Sequence, residues 1–260
     1  MKNVLSLRYK HNTMQINKYL DSTYLKTPNQ ANISEDETTK NVIKLIQEAI
    51  EYDFVLVMIR PEFVKLAKKM INVAKSNVTV GTVIGFHEGT NPISKKLIEA
   101  KQAVDDGVDD LDFVINYEAF KDGDIELVKD EVLKGTELGL HHNKIVKWII
   151  EVAALNDEQI IGISKLIRDV VLENFDNKKS SKVFVKSSTG FYKPTNGKPA
   201  GATFEAMKLI VENSKPLSAK AAGGVRSYED AVKMVNMGVS RIGTSSALKI
   251  FLGKEQAQGY

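Results

Sequence analysis

The chain has 260 residues, 43% of them hydrophobic, and a formal net charge of +3 from 36 basic and 33 acidic side chains. That is enough apolar material for one sizeable core, and so even a charge balance argues against nucleic-acid binding. The absence of cysteine excludes disulfides, thiolate catalysis and cysteine-bound metals, and it fits a cytoplasmic location. Met1 to Lys10 lacks the apolar segment of a signal peptide. No apolar run reaches the ~18 residues of a membrane span, so no membrane partner is expected. The four histidines, His11, His87, His141 and His142, have no metal-ligand spacing. No metal is expected, and His141-His142 reads as part of a polar loop.

Tyr19 to Leu25 reads as a first strand. Ser34 and Glu37 form a capping box ahead of Val42, Ile43, Ile46, Ala49 and Ile50 at helical spacing. Phe54 to Ile59 is a strand, and Pro61 opens a helix with Phe63, Val64, Ala67, Met70 and Ile71 on one face. Val78 to Gly85 is a strand, followed by a helix from about Pro92 to Val104. Leu111 to Asn116 is a strand, followed by a helix from about Asp124 to Leu138. Lys144 to Val152 is a strand, and Asn156 caps a helix bearing Ile160, Ile163, Ile167, Val170 and Val171. Val183-Phe184-Val185 is the apolar run of a strand buried on both faces, ending in Lys186-Ser187-Ser188-Thr189-Gly190. Tyr192 to Gly201, rich in Lys, Pro, Gly and Asn, reads as a surface loop. A helix from about Thr203 to Glu212, a short strand Leu217 to Ala221 and a helix capped by Ser227 follow. Val239 to Gly243 is the last strand, with a short helix after it. Strands alternating with helices argue a parallel sheet. Eight such units in one chain of this length predict an α/β fold of the (β/α)8 TIM barrel type. It is read as a single domain over 1–260, with a helical extension before the barrel and a mobile tail from Gly253 to Tyr260.

Three ionisable residues stand among apolar strand residues. They are Asp112, Lys186 and Lys220, the last followed by Ala221-Ala222-Gly223-Gly224. A buried ion pair inside the barrel is one reading. The other is chemistry, because barrel active sites form at the C-terminal ends of the strands. Two lysines on adjacent strand ends disfavour each other's charge. A neutral lysine amine attacks a carbonyl and forms an iminium, an electron sink next to which a C–C bond breaks or forms. Asp112 can shuttle the protons. Glycine loops after the seventh and eighth strands, Gly223-Gly224-Val225-Arg226 and Gly243-Thr244-Ser245-Ser246, suit a phosphate. Arg226 either adds charge there or points to solvent.

At these residues the sequence resembles deoxyribose-phosphate aldolase, a class I aldolase. The segments are Leu111-Asp112-Phe113-Val114-Ile115-Asn116, Val185-Lys186-Ser187-Ser188-Thr189-Gly190, Lys220-Ala221-Ala222-Gly223-Gly224-Val225-Arg226 and Gly243-Thr244-Ser245-Ser246. Thr82-Val83-Ile84-Gly85-Phe86 and Leu20-Asp21-Ser22-Thr23 add to them. The resemblance implies reversible, cofactor-free cleavage of 2-deoxy-D-ribose 5-phosphate to acetaldehyde and D-glyceraldehyde 3-phosphate in deoxyribonucleotide catabolism. Lys186 would be the Schiff-base nucleophile, Lys220 the second lysine and Asp112 the proton donor or acceptor. Asp21 and Thr23 would line the site, with Thr189, Gly190, Gly223, Gly224, Arg226, Gly243, Ser245 and Ser246 binding substrate and its phosphate. Tyr260 would reach the site during proton transfer, as in some family members, or belong only to the mobile tail. A homodimer is expected. The chain departs from the family at His87, where proline is usual, at Met58 to Pro61, at Ala221, and in the loop beginning at Phe191. The remaining readings are another sugar-phosphate barrel, a Schiff-base aldolase with a larger donor, and a non-catalytic phosphate-binding barrel.

Overall fold

A computed structural model describes residues 14–194, 197 and 199–253. Its strands are β1 (Leu20–Tyr24), β2 (Leu56–Ile59), β3 (Thr79–Ile84), β4 (Asp110–Val114), β5 (Ile145–Ile149), β6 (Val183–Lys186), β7 (Ser218–Ala222) and β8 (Arg241–Thr244). Each pairs with the next in parallel, and β1 pairs with β8 to close the barrel. The helices are α1 (Pro28–Ala31), α2 (Glu35–Glu51), α3 (Val64–Val73), α4 (Ile93–Asp105), α5 (Tyr117–Lys121), α6 (Ile125–His141), α7 (Asp157–Asn174), α8 (Asn177–Ser180), α9 (Phe204–Ser214), α10 (Tyr228–Asn236) and α11 (Ala247–Phe251).

Local chemistry sets the helix starts. The Ser34 hydroxyl accepts from the Glu37 amide, and the Glu37 carboxylate accepts from the Ser34 amide in return. Asn156 and Gln159 form the same reciprocal cap on α7. Ser227 caps α10 by accepting from the Asp230 amide. These bonds satisfy amide donors that an isolated helix end leaves open. Pro61 opens a short 3₁₀ turn, Pro61–Phe63, before α3 begins. The single-turn helices α1, α5 and α8 were not foreseen; they are too short to carry a periodicity. Of the expected N-terminal helical extension, the described residues contain the 3₁₀ turn Ile16–Tyr19. The rest of it lies outside them. His141 ends α6 and His142 caps it, so the pair sits at a helix terminus.

Strand residues facing outward pack under the helices and form the main core. There Phe113 and Trp148 stack with centroids 5.0 Å apart, and the Trp148 indole donates to Thr136 of α6. The barrel interior is divided. On the β2–β3 side it is apolar, with Leu25, Leu56, Met58 and Val83 in one cluster. On the other side, from β4 round to β1, it is filled with charge. That division is what builds the site.

Candidate active site

Strand register places the charges. Lys186 pairs with Lys220 across β6 and β7, and Asp112 pairs with Lys147 across β4 and β5. All four are buried. The Asp112 carboxylate is the hub: one oxygen accepts from Lys186 at 2.8 Å and Lys220 at 3.0 Å, the other from Lys147 at 2.9 Å. Lys220 lies 2.6 Å from Asp21, which accepts from Arg241 at 2.7 Å. Arg241 reaches Asp110 at 3.4 Å, and Asp110 accepts from Lys147 at 2.5 Å. Asp112, Lys220, Asp21, Arg241, Asp110 and Lys147 therefore form a closed ring of alternating sign. Lys186 hangs from it as a seventh member.

The cluster holds four cations against three carboxylates. Lys147, Lys220 and Arg241 balance Asp21, Asp110 and Asp112. Lys186 is the surplus cation. Burial pulls its ammonium down to about 8, with Lys220 and Lys147 pushing the same way and Asp112 opposing them. The paired-lysine argument thus holds as a secondary cause behind desolvation. Burial also works against ionising Asp112, but Lys147, Lys186 and Lys220 outweigh it and hold the carboxyl well below the usual range.

Above Lys186 opens a cavity of about 830 Å³. Of the predicted residues, Thr23, Lys186, Thr189, Gly190, Gly223, Gly224, Arg226, Gly243 and Ser245 line it. Arg226 sits exposed at the rim. Asp112, Lys220 and Asp21 lie beneath the floor, so Asp21 supports the site from below and is not part of its lining. Ser246 is not among the lining residues; its amide donates to the Thr244 hydroxyl at the start of α11. Tyr260 lies outside the described residues.

Gly223 and Gly224 have φ of +78° and +91°, a conformation side chains disfavour. The Gly223 carbonyl accepts from Ala202 at 2.8 Å. The β6–α9 segment is therefore pinned back against the β7 loop, and Phe191, Tyr192, Lys193 and Ala200 line the cavity. The segment is a surface loop as expected, exposed at Lys193, Gly197, Pro199 and Ala200, and part of it also forms the cavity wall.

Sequence reasoning missed several members. Lys147 stands in the apolar run Val146-Lys147-Trp148, the same signal that exposed Asp112. Glu151 is buried at the end of β5 and accepts from the Ser188 hydroxyl at 2.8 Å and the Thr189 amide at 3.0 Å. It fixes the turn that follows Lys186. Tyr117, also in the lining, has its phenol pushed up to about 12 by burial and then by Glu151. Among the described residues no group of three acidic, histidine or cysteine side chains could hold a metal.

No protein-family model matches the chain. A curated deoxyribose-phosphate aldolase of Thermococcus gammatolerans is 38% identical over 94% of this chain and 99% of its own length. The chain belongs to the deoxyribose-phosphate aldolase family. A second family member, from Mycoplasma capricolum, is 35% identical over 95% of the chain and 99% of its own. The solved tetrameric deoxyribose phosphate aldolase of Aeropyrum pernix superposes with a TM-score of 0.72 at 27% identity, covering 91% of this chain and 89% of that one. Among the described residues no helix is long and apolar enough to cross a membrane.

Proposed function

We infer that the protein is a deoxyribose-phosphate aldolase, cleaving 2-deoxy-D-ribose 5-phosphate reversibly to acetaldehyde and D-glyceraldehyde 3-phosphate. The observation that carries this is Lys186: a buried amine with its pKa drawn to about 8, against a carboxylate, on the floor of an open cavity. The neutral amine attacks C1 of the open-chain sugar, and loss of water leaves the iminium. Removal of the C3 hydroxyl proton lets the C2–C3 bond break, and its electrons move into the iminium to give an enamine. D-glyceraldehyde 3-phosphate departs. Protonation of the enamine at C2 and hydrolysis release acetaldehyde and restore Lys186. Asp112, 2.8 Å from the Lys186 nitrogen and 3.0 Å from Lys220, is assigned to pass protons between them. The loops at Gly223-Gly224 and Gly243 to Ser245, with Arg226 at the rim, are assigned to the phosphate, and Thr23, Thr189 and Gly190 to the sugar. Tyr260 and Ser246 keep their roles here on the family resemblance alone.

The test is borohydride trapping with deoxyribose 5-phosphate or acetaldehyde, followed by digestion and mass spectrometry. An adduct on Lys186 supports the reading, and a folded sample with no lysine adduct removes it. A second result concerns pH. Lys220→Met removes a like charge that lowers Lys186, so the Lys186 pKa moves up from about 8. The acid limb of kcat/KM is expected to move upward by roughly one pH unit. An unmoved limb would show that burial alone sets the nucleophile. The cytoplasmic location, the catabolic role and the reading of one barrel domain are proposed with this activity. The expected homodimer is also proposed, and light scattering separates it from a larger assembly.

A further inference from the structure

We propose that Lys96, on α4, is a positioning residue that fixes the cavity wall facing the glycine loops and so sets how the sugar phosphate is held. This rests on the aldolase reading above. Lys96 is fully buried, yet it lies outside the ionic ring and has no part in the chemistry at Lys186. Its ammonium donates to the Gly89 carbonyl at 2.6 Å and the Val114 carbonyl at 2.7 Å, and to the Glu131 carboxylate of α6. The other Glu131 oxygen accepts from the Asn116 amide at 2.8 Å, and the Asn116 side chain caps α5. One buried pair therefore ties the loop after β3 to the loop after β4.

Those two loops carry His87, Glu88 and Tyr117, all in the cavity lining. In a closed eight-strand barrel, β3 and β4 stand across from β7 and β8, which carry the loops assigned to phosphate. Packing reinforces the tie. A side chain at Gly85 would meet the Lys96 stem at 2.7 Å, and one at Gly89 would strike the Ile115 carbonyl. The Gly85 amide is held by Glu99 at 2.8 Å. Burial lowers the Lys96 pKa and raises that of Glu131, so the pair is held at a desolvation cost that an apolar pair would not carry. Hydrogen-bond donors to the Gly89 carbonyl and to the Val114 carbonyl at the end of β4 are what the ammonium supplies and a hydrophobic side chain cannot.

The experiment uses the full chain with Lys96→Met/Glu131→Leu, an apolar replacement of the whole pair that leaves no buried charge alone. Glu131→Gln is the milder variant; it keeps an acceptor for the Asn116 amide. Four quantities are read: KM and kcat for deoxyribose 5-phosphate, the rate of acetaldehyde trapping on Lys186 by borohydride, and the melting temperature. The double variant is expected to raise KM roughly tenfold or more while acetaldehyde trapping stays within about twofold, because the small donor does not span the cavity. Glu131→Gln is expected to move KM in the same direction by less. Unchanged KM in both variants would make the pair purely structural and overturn the proposal. So would a parallel fall in trapping and kcat/KM, which would mean that the Lys186 end had been lost too. Absence of trapping in the unmodified protein would instead overturn the aldolase reading, and this proposal with it.

Discussion

Lys186→Met is expected to abolish turnover and, at neutral pH, to make the protein more stable. The first effect follows from losing the amine to which the imine is assigned, with kcat down on the order of a thousandfold or more. The second follows from the surplus charge. The folded state holds Lys186 at about 8, against 10.5 for an ordinary lysine. At ~1.4 kcal/mol per pH unit, the charged form costs the fold roughly 3 kcal/mol. Methionine fills similar space and leaves three cations facing three carboxylates. The sign is fixed by linkage. Because the folded pKa is the lower one, the cost is present in full below about 8 and fades as pH rises toward the unfolded value. Thermal melts should therefore show the variant ahead of the unmodified protein near pH 7 and level with it above pH ~10.5. A variant less stable at pH 7 would mean that Lys186 belongs to the ring as an equal partner.

Lys147→Met should have the opposite effect on stability, although the substitution is chemically the same. Lys147 bridges Asp110 at 2.5 Å and Asp112 at 2.9 Å, and it is fully buried. Its removal leaves Asp110 with Arg241 alone, at 3.4 Å. Breaking a buried pair in this way costs about 3–5 kcal/mol, which a denaturant titration would read as a lower midpoint with the slope unchanged. The variant also balances three carboxylates against Lys186, Lys220 and Arg241, so Lys186 keeps its proton to higher pH. The acid limb of the rate profile should rise as it does for Lys220→Met. A midpoint equal to that of the unmodified protein would mean that the ring is not held together by its charges.

The barrel and the buried lysine on its cavity floor were legible because each rests on local sequence. Val183-Phe184-Val185 specifies a strand buried on both faces, and Lys186 at its end has no ordinary reason to be there. Asp112 and Lys220 carry the same contradiction between residue type and neighbours. Arg241 carries none: it starts a strand, where an arginine normally meets water, and its partners lie 131 and 220 residues away in sequence. Lys96 was hidden differently. It follows Lys95 on an amphipathic helix, and only its phase with Ala100 and Ala103 marks it as buried. Glu151 sits just past β5 in a left-handed conformation, φ +55°, which no motif signals. The order of causes at Lys186 was also out of reach, because burial is a property of the closed barrel and the like charge of Lys220 is a property of adjacent strands.

The ionic ring has a consequence for the chain as it is being made. Arg241, which bonds both Asp21 and Asp110, is on the last strand. Until that strand has left the ribosome and docked, the interior holds three carboxylates against Lys147, Lys186 and Lys220. The barrel is then open along one side, and Lys186 is not yet desolvated. Docking of β8 closes the barrel, and the burial that results is the main cause drawing Lys186 down to about 8. The amine is thus armed by the same event that completes the barrel.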